Sequence, residues 1–494
     1  MSDQLIILVI VWPLLTGVVT SLLPANKRLM TLWGSLNLVA LNGLAAALLL
    51  RVVSRGTLIY TVSGWNRDPA DALSLGIELK ANIFCGFLSC LIAAVALVGF
   101  LGGVCTWDRQ VGHRLPHFLA LFFLLVAAFQ GLCLSNDAFN LYVMLEISSL
   151  ATYGLIAFGG GRAYLATFHY IVMGTIGASF YLIGVGYLYI KTGTLNITDL
   201  ADSIASQQLS KAFVLALAFL VTGLLLKMAV FPLHFWLPNA YTYAPDATSV
   251  LVAPLSTKLA VFLMFRILDD LFIGVIPRSL VSWSWAVVFL ASFGILAGTS
   301  LSLAQRDLKK IFSCLIVAEA GYMLGGLWLS DSRGTIGALF HLVNDAVATL
   351  ALFLVVIAVQ QSVGGRNLHD VKGLFQRSPL TVLALILVAF NLIGVPPSAG
   401  FFSKATLLTG AVASGHYQFV VALLLASLGN LVIFFRIIEV AYFNPIVAEE
   451  GESALSLDGQ RAGALAAAVA ASLYLLGLSS YNIMETFIKP VVSL

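Results

Sequence analysis

The stretch ALFHLVNDAVATLALFL, residues 338–354, has the apolar length of a membrane-crossing helix, yet it holds His341 and Asp345. At a spacing of four residues both side chains leave the same helix face, and Thr349 lies one turn further along it. A charged side chain at the bilayer centre costs roughly 2.5–3.5 kcal/mol on insertion scales. That face is therefore expected to look at protein or at a wet interior, and the helix to be one of many.

Composition agrees. Of 494 residues, 60% are hydrophobic and 10% charged, whereas soluble domains carry about 25% charged residues. Apolar segments of about twenty residues recur throughout, so the chain reads as an all-α polytopic membrane protein. About fourteen spans are expected, starting near residues 5, 29, 81, 116, 137, 163, 212, 245, 280, 296, 334, 379, 417 and 461. The ninth and tenth merge in hydropathy and are parted only by AQRDLKK. Longer polar connections lie at 53–80, 191–211, 363–378 and 444–460. The opening MSDQ runs straight into LIILVIVWPLLTGVVTSLL with no basic n-region, which reads as a retained first helix.

The net charge of +3 comes without basic blocks, so no nucleic-acid partner is expected. The five cysteines (Cys85, Cys90, Cys105, Cys133 and Cys314) show no CxxC spacing and read as small buried side chains. No haem, flavin or iron–sulfur motif is visible. No cofactor is expected on this chain, and any redox chemistry would belong to another.

If the spans alternate, Lys27, Arg28, Arg109, Arg114, Arg162, Arg306, Lys309, Lys310, Arg366, Lys372 and Arg377 share one side. The positive-inside rule makes it cytoplasmic, with both termini outward. Arg55 and Arg67 fall on the other side. The expected location is the bacterial inner membrane, with periplasmic termini.

A faint internal repeat is present. ATFHYIVMGTIGASF and ALFHLVNDAVATLALF each hold Phe-His after a small residue, Phe168-His169 and Phe340-His341. The seventh span breaks at LLLKMAVFPLHFWLP around Pro232, and the twelfth at NLIGVPPSAGFFSK around Pro396 and Pro397. Proline removes a backbone donor and interrupts a helix. Paired interruptions in two halves point to a transporter with discontinuous helices near the midplane.

Several titratable residues sit where lipid-facing positions would forbid them. Glu146 is mid-span beside Ser148, Ser149 and Thr152. Lys227 precedes the first break, Lys258 lies in VLVAPLSTKLAVFLMF, and Lys404 follows the second break. With His169, His234 and His341 they read as stations on a hydrated proton path; the alternatives are snorkelling lysines and a hydrogen-bonded glutamate. Glu319, in CLIVAEAGYMLGG, is open between a relay and a structural role. His113, His117, His369 and His416 fall near span ends, where solvated roles are expected. No catalytic residue and no metal site emerge.

These residues carry a resemblance. DAFNLYVMLEISSLATYGLIA, KMAVFPLHFWLPNAYTYAP, STKLAVFLMFRI, QRDLKKIFSCLIVAEAGYMLGG and GVPPSAGFFSK resemble the antiporter-like family. That family is shared by Mrp-type multisubunit cation/proton antiporters, the proton-pumping membrane subunits of complex I, and membrane-bound hydrogenases. The likeness covers about residues 80–440 and is strongest to the D-type Mrp subunit. It implies fourteen helices with two inverted five-helix repeats and two broken helices. The divisions would be helices 1–3 (1–115), a first repeat (116–270), a second repeat (271–443), and a loop with the last helix (444–494).

The resemblance also implies a regulating pair, Glu146 with Lys227, a proton-passing Lys258 and a terminal Lys404. Relatives usually read HLxNHAxxK where this chain has HLVNDAVAT, so Asp345 and Thr349 replace a histidine and a lysine. Glu319 stands where Gln is usual, and Asn82 where Asp is usual. Either these are rewired stations, with a more negative centre that passes protons or holds Na⁺ near Asp345 or Glu319, or the central link is lost. The rewired account is favoured, because decay would more readily bring apolar residues than new carboxylates.

The implied activity is proton translocation, in exchange for a cation such as Na⁺, within a complex of other antiporter-like and small membrane subunits. The alternatives are a proton-pumping module of a redox-driven complex, and a coupling subunit that feeds protons to a separate uptake protein. On none of these readings is the chain an enzyme by itself.

Overall fold

The computed structural model describes residues 4–62, 76–207, 210–272, 281–443 and 457–492. Arg67 and the connection at 444–456 lie outside them. Among the described residues the regular structure is helical except for one antiparallel strand pair, β1 (Leu58–Thr61) with β2 (Glu78–Ala81).

The N-terminal part holds α1 (Gln4–Leu22), α2 (Lys27–Arg55), α3 (Ile83–Gly103) and the short α4 (Trp107–Gln110). Then follow α5 (Leu115–Leu134), α6 (Ala138–Ala157), α7 (Arg162–Thr192) and a surface helix, α8 (Ile197–Ser206). The first broken span is α9 (Lys211–Lys227) with α10 (Trp236–Tyr243), and α11 (Asp246–Arg266) comes next. The second half runs α12 (Val281–Leu303), α13 (Leu308–Trp328), α14 (Ser332–Val363) and the short α15 (Leu374–Arg377). The second broken span, α16 (Pro379–Ile393) with α17 (Ala399–Ala413), precedes α18 (Tyr417–Phe443) and α19 (Leu457–Leu478). Twelve uninterrupted spans and two broken ones make fourteen crossings among the described residues.

One boundary differs from the sequence reading. The tenth span begins at Leu308, not near 296, because α12 continues through that apolar run. The boundary is set by Asp307, whose carboxylate accepts from the backbone amides of Lys309 (2.9 Å) and Lys310 (3.2 Å). Hydropathy does not register such a cap; it is a local hydrogen-bond feature.

The two halves share a construction detail. Asp137 caps α6, and the turn before α6 exchanges backbone bonds with the loop after α7: Ala138 N to Leu195 O (2.8 Å) and Ile197 N to Asn136 O (2.9 Å). Asp307 caps α13, and there Leu308 N bonds Arg366 O (2.9 Å) while Leu368 N bonds Arg306 O (2.8 Å). Five crossings separate these clasps, so they lie on opposite membrane sides. The long helices feeding them, α7 and α14, both end on a glycine in the left-handed region, Gly193 (φ 74°) and Gly364 (φ 75°), which only glycine adopts cheaply.

Burial separates inner from outer helices. The apolar windows of α13 and α14 are wholly buried, whereas a third of that of α2 is. Helix α14 packs against α11, α13, α17 and α19, with α3 alongside. The face holding His341 and Asp345 therefore looks at protein.

Replacing Asp307 by alanine removes the α13 cap and the acceptor of Arg366 Nε, 2.7 Å away. The ion pair is partly exposed and contributes little, so the expected cost is that of a cap, about 1–2 kcal/mol. Thermal unfolding in detergent reads it, and an unchanged midpoint would count against the assignment.

Candidate functional site

Lys227 is the last residue of α9, where the first broken span opens around Pro232. Its Nζ donates to Ser149 Oγ at 2.6 Å and lies 3.8 Å from Glu146 Oε1, an ion-pair distance too long for a hydrogen bond. Ser149 is one turn beyond Glu146 on α6, so both project toward the same gap. Lys227 is 7% exposed and Glu146 25%; the pair stands between the interior and the outer face. The break keeps one carbonyl satisfied through Trp236 Nε1, which donates to Leu226 O (3.2 Å). The Trp236 ring stacks on Tyr170 at 3.9 Å. His234 is buried in the break between Phe231 and Phe235, and its Nδ1 has no hydrogen-bond partner among the described residues.

The centre lies where α11 meets α14. Lys258 Nζ is 2.8 Å from Asp345 Oδ2, with side-chain exposures of 1% and 2%. Thr349 donates to Asp345 Oδ1 (3.0 Å), and Lys258 reaches Thr349 Oγ1 (3.3 Å) and Ala253 O (3.2 Å). Asp345 and Thr349 thus take the ammonium together. The Asp345 carboxylate is thus paired with a buried cation.

One turn earlier on α14, His341 bridges two helices. Its Nε2 is 2.6 Å from Glu319 Oε2 on α13, and its Nδ1 is 2.9 Å from Ser403 Oγ on α17. With the proton on Nε2, the Glu319 carboxylate accepts it and the Ser403 hydroxyl donates to Nδ1; with the proton on Nδ1, Ser403 accepts and Glu319 donates only as the protonated acid. Lys404, next to Ser403, donates to Leu392 O at the end of α16 and to Ser427 Oγ (3.4 Å). Its ammonium stands 5.1 Å over the Tyr322 ring, a cation–π geometry. The same ring meets His341 edge-on at 5.3 Å.

Glu146, Lys227, Lys258, Asp345, Thr349, Glu319, His341 and Lys404 therefore fall into three contact groups, ordered from the first break to the second. His169 does not join them: it is exposed on the outside of α7 beside Phe168, although its counterpart His341 is buried. Asn82 is not central either; it caps α3 by accepting from Cys85 N (2.8 Å). His113, His117 and His369 are exposed, but His416 is buried in the turn before α18, against Trp285.

The sequence reading missed Ser403 and the clusters at the helix ends. Lys309 pairs with Asp246 (2.7 Å), and Gln110 donates to Asp246 Oδ2 (2.6 Å). Arg266 binds Asp270 (2.9 Å), Asn136 Oδ1 (2.9 Å) and the Ser135 carbonyl. A signal existed for each cluster: a charged residue at the edge of an apolar run, with Asp246 opening α11 and Arg266 closing it.

Residues 135–429 match the model of the family described as NADH:quinone oxidoreductase/Mrp antiporter, transmembrane. The chain belongs to that family. Among its relatives within the family, it is 40% identical to NADH-quinone oxidoreductase subunit N of Desulforudis audaxviator (strain MP104C) over 385 residues, 78% of this chain and 75% of that one. It is 31% identical to the D subunit of the Na⁺/H⁺ antiporter of Bacillus subtilis (strain 168) over 434 residues, 86% and 84% of the two chains. The fold is similar to a chain of the archaeal membrane-bound sulfane sulfur reductase, with a TM-score of 0.86, 25% identity, and 99% and 97% coverage. It is also similar to a chain of the Mrp complex from Dietzia sp. DQ12-45-1b, with a TM-score of 0.85, 24% identity, and 99% and 98% coverage. As a family member, this is a multi-pass membrane protein of the antiporter-like type.

Proposed function

We propose that this chain translocates protons along its midplane groups, in exchange for a monovalent cation such as Na⁺, as one subunit of a multisubunit membrane complex. The observation that supports it most is the succession of paired groups across both broken helices: Glu146 with Lys227, Lys258 with Asp345, Glu319 with His341, and then Lys404. Each station has a partner that stabilises its charged form, and each charge sets the proton affinity of the next. When Lys227 leaves Glu146 for Ser149, the ammonium loses a counter-charge and its proton is released more readily. The partners are other antiporter-like and small membrane subunits. The side bearing Arg306, Lys310 and Lys372 faces the cytoplasm, and the termini the periplasm.

Asp345 is not a free Na⁺ ligand in this arrangement, because the Lys258 ammonium occupies it. A cation bound there would have to exchange with that ammonium.

The test is the purified complex in proteoliposomes with a pH-sensitive dye inside. A Na⁺ jump is expected to move protons without any electron donor. No proton movement with Na⁺, K⁺ or Li⁺ would sink the exchange reading. A second reading, the proton-pumping module of a redox-driven assembly, is favoured by the 40% identity to a quinone oxidoreductase subunit. It requires proton movement that appears only with donor and quinone.

A further inference from the structure

On the basic side of the membrane, a cavity of about 770 Å³ lies between the α12–α13 turn, the loop after α14, and α18. Arg306, Lys372, Arg436 and His369 line it, with Asp370 and Val440. The Asp370 carboxylate is turned to its own loop: Oδ2 accepts from Asn367 N at 2.9 Å, and Oδ1 is 4.0 Å from His369. Arg366, the nearby cation with a strong partner, is held by Asp307. Neither the Arg306 guanidinium nor the Lys372 ammonium joins an ion pair among the described residues. The cavity therefore has a net positive lining.

Arg436 fixes where the cavity sits. It donates to Leu303 O (3.0 Å), on the last residue at the C-terminal end of α12, and to Gln305 O (2.7 Å) in the turn that follows. That end marks the boundary between the apolar span and the polar turn. Along α18, Leu428, Val432, Arg436 and Val440 are four residues apart and share one stripe. Leu428 and Val432 are 59% and 55% exposed. A polar, cationic cavity at the membrane boundary thus continues into an open apolar stripe running toward the bilayer centre.

We infer that this cavity binds the phosphate headgroup of an anionic phospholipid, with the acyl chains lying along the Leu428–Val432 stripe of α18. Phosphodiester oxygens suit guanidinium and ammonium donors. Basic pockets between transmembrane helices on the cytoplasmic side take such headgroups. A free phosphate would use the same donors but would make no use of the stripe.

The full chain in detergent, titrated with phosphatidylglycerol and followed by native mass spectrometry, tests the site. Phosphatidylglycerol is expected to bind more tightly than phosphatidylcholine. The Arg306→Gln/Lys372→Gln variant should weaken it by on the order of thirtyfold, about tenfold or less per charge. The Lys27→Gln/Arg28→Gln variant, elsewhere on the same side, should bind like the parent. Equal affinity for the two lipids, or an Arg306/Lys372 variant that binds like the parent, would overturn the inference. So would an equal loss in the Lys27/Arg28 variant, or displacement of the lipid by millimolar inorganic phosphate. Thermal unfolding checks that each variant is folded, and Arg306→Lys/Lys372→Arg, which keeps both charges, should retain binding.

Discussion

Lys227→Ala is expected to abolish ion flux while leaving the complex assembled. The lysine is buried at the end of α9, hydrogen-bonded to Ser149 and 3.8 Å from Glu146. Its loss leaves Glu146, a quarter exposed but with Oε1 buried and lacking a hydrogen-bond partner among the described residues, with no cation beside it. Removing one partner of a buried pair typically costs about 3–5 kcal/mol, and the partial exposure of Glu146 puts the expected loss of stability below that range. Flux is different, because no neighbouring group on α9 takes over the proton. Lys227→Arg sharpens the test: the guanidinium keeps the charge but does not release a proton. If Lys227 is a proton station, Arg fails like Ala; if it is only a fixed counter-charge, Arg restores flux. The readout is dye-monitored proton movement in proteoliposomes, with assembly checked by size-exclusion chromatography. Full flux in the alanine variant would remove Lys227 from the path.

The sequence exposed the individual charges but not their partners, and the reason is physical. A lysine in an apolar run is conspicuous because lipid penalises it, so Lys227, Lys258 and Lys404 stood out singly. Which carboxylate each one meets depends on helix packing. Lys258 and Asp345 are 87 residues apart and meet because α11 crosses α14. The repeated Phe-His was equally legible in both halves, yet His341 is enclosed while His169 is exposed on the outside of α7. An apolar helix face reads the same whether lipid or protein covers it, so periodicity could not separate the two. The fourteen crossings came from hydropathy; at the start of α13 hydropathy offered only the polar stretch AQRDLKK, and the cap on Asp307 within it fixes the first residue.

Asp345→Asn is expected to be the most damaging single change. The Lys258–Asp345 pair is nearly inaccessible to solvent, and removing one partner of such a pair typically costs about 3–5 kcal/mol, because the other charge is left uncompensated. Asparagine still accepts from Lys258 and Thr349 through its carbonyl oxygen, but it brings no negative charge. Both unfolding stability in detergent and flux should therefore fall. Lys258→Met should destabilise comparably, since it strands the carboxylate. The double variant Lys258→Met/Asp345→Leu replaces the pair by apolar groups and is expected to recover stability toward the parent. Its flux decides the role. If the pair carries protons between the two broken spans, flux stays lost although the fold is restored. If the pair is only a pin between α11 and α14, flux returns with stability, and the path must be drawn around it.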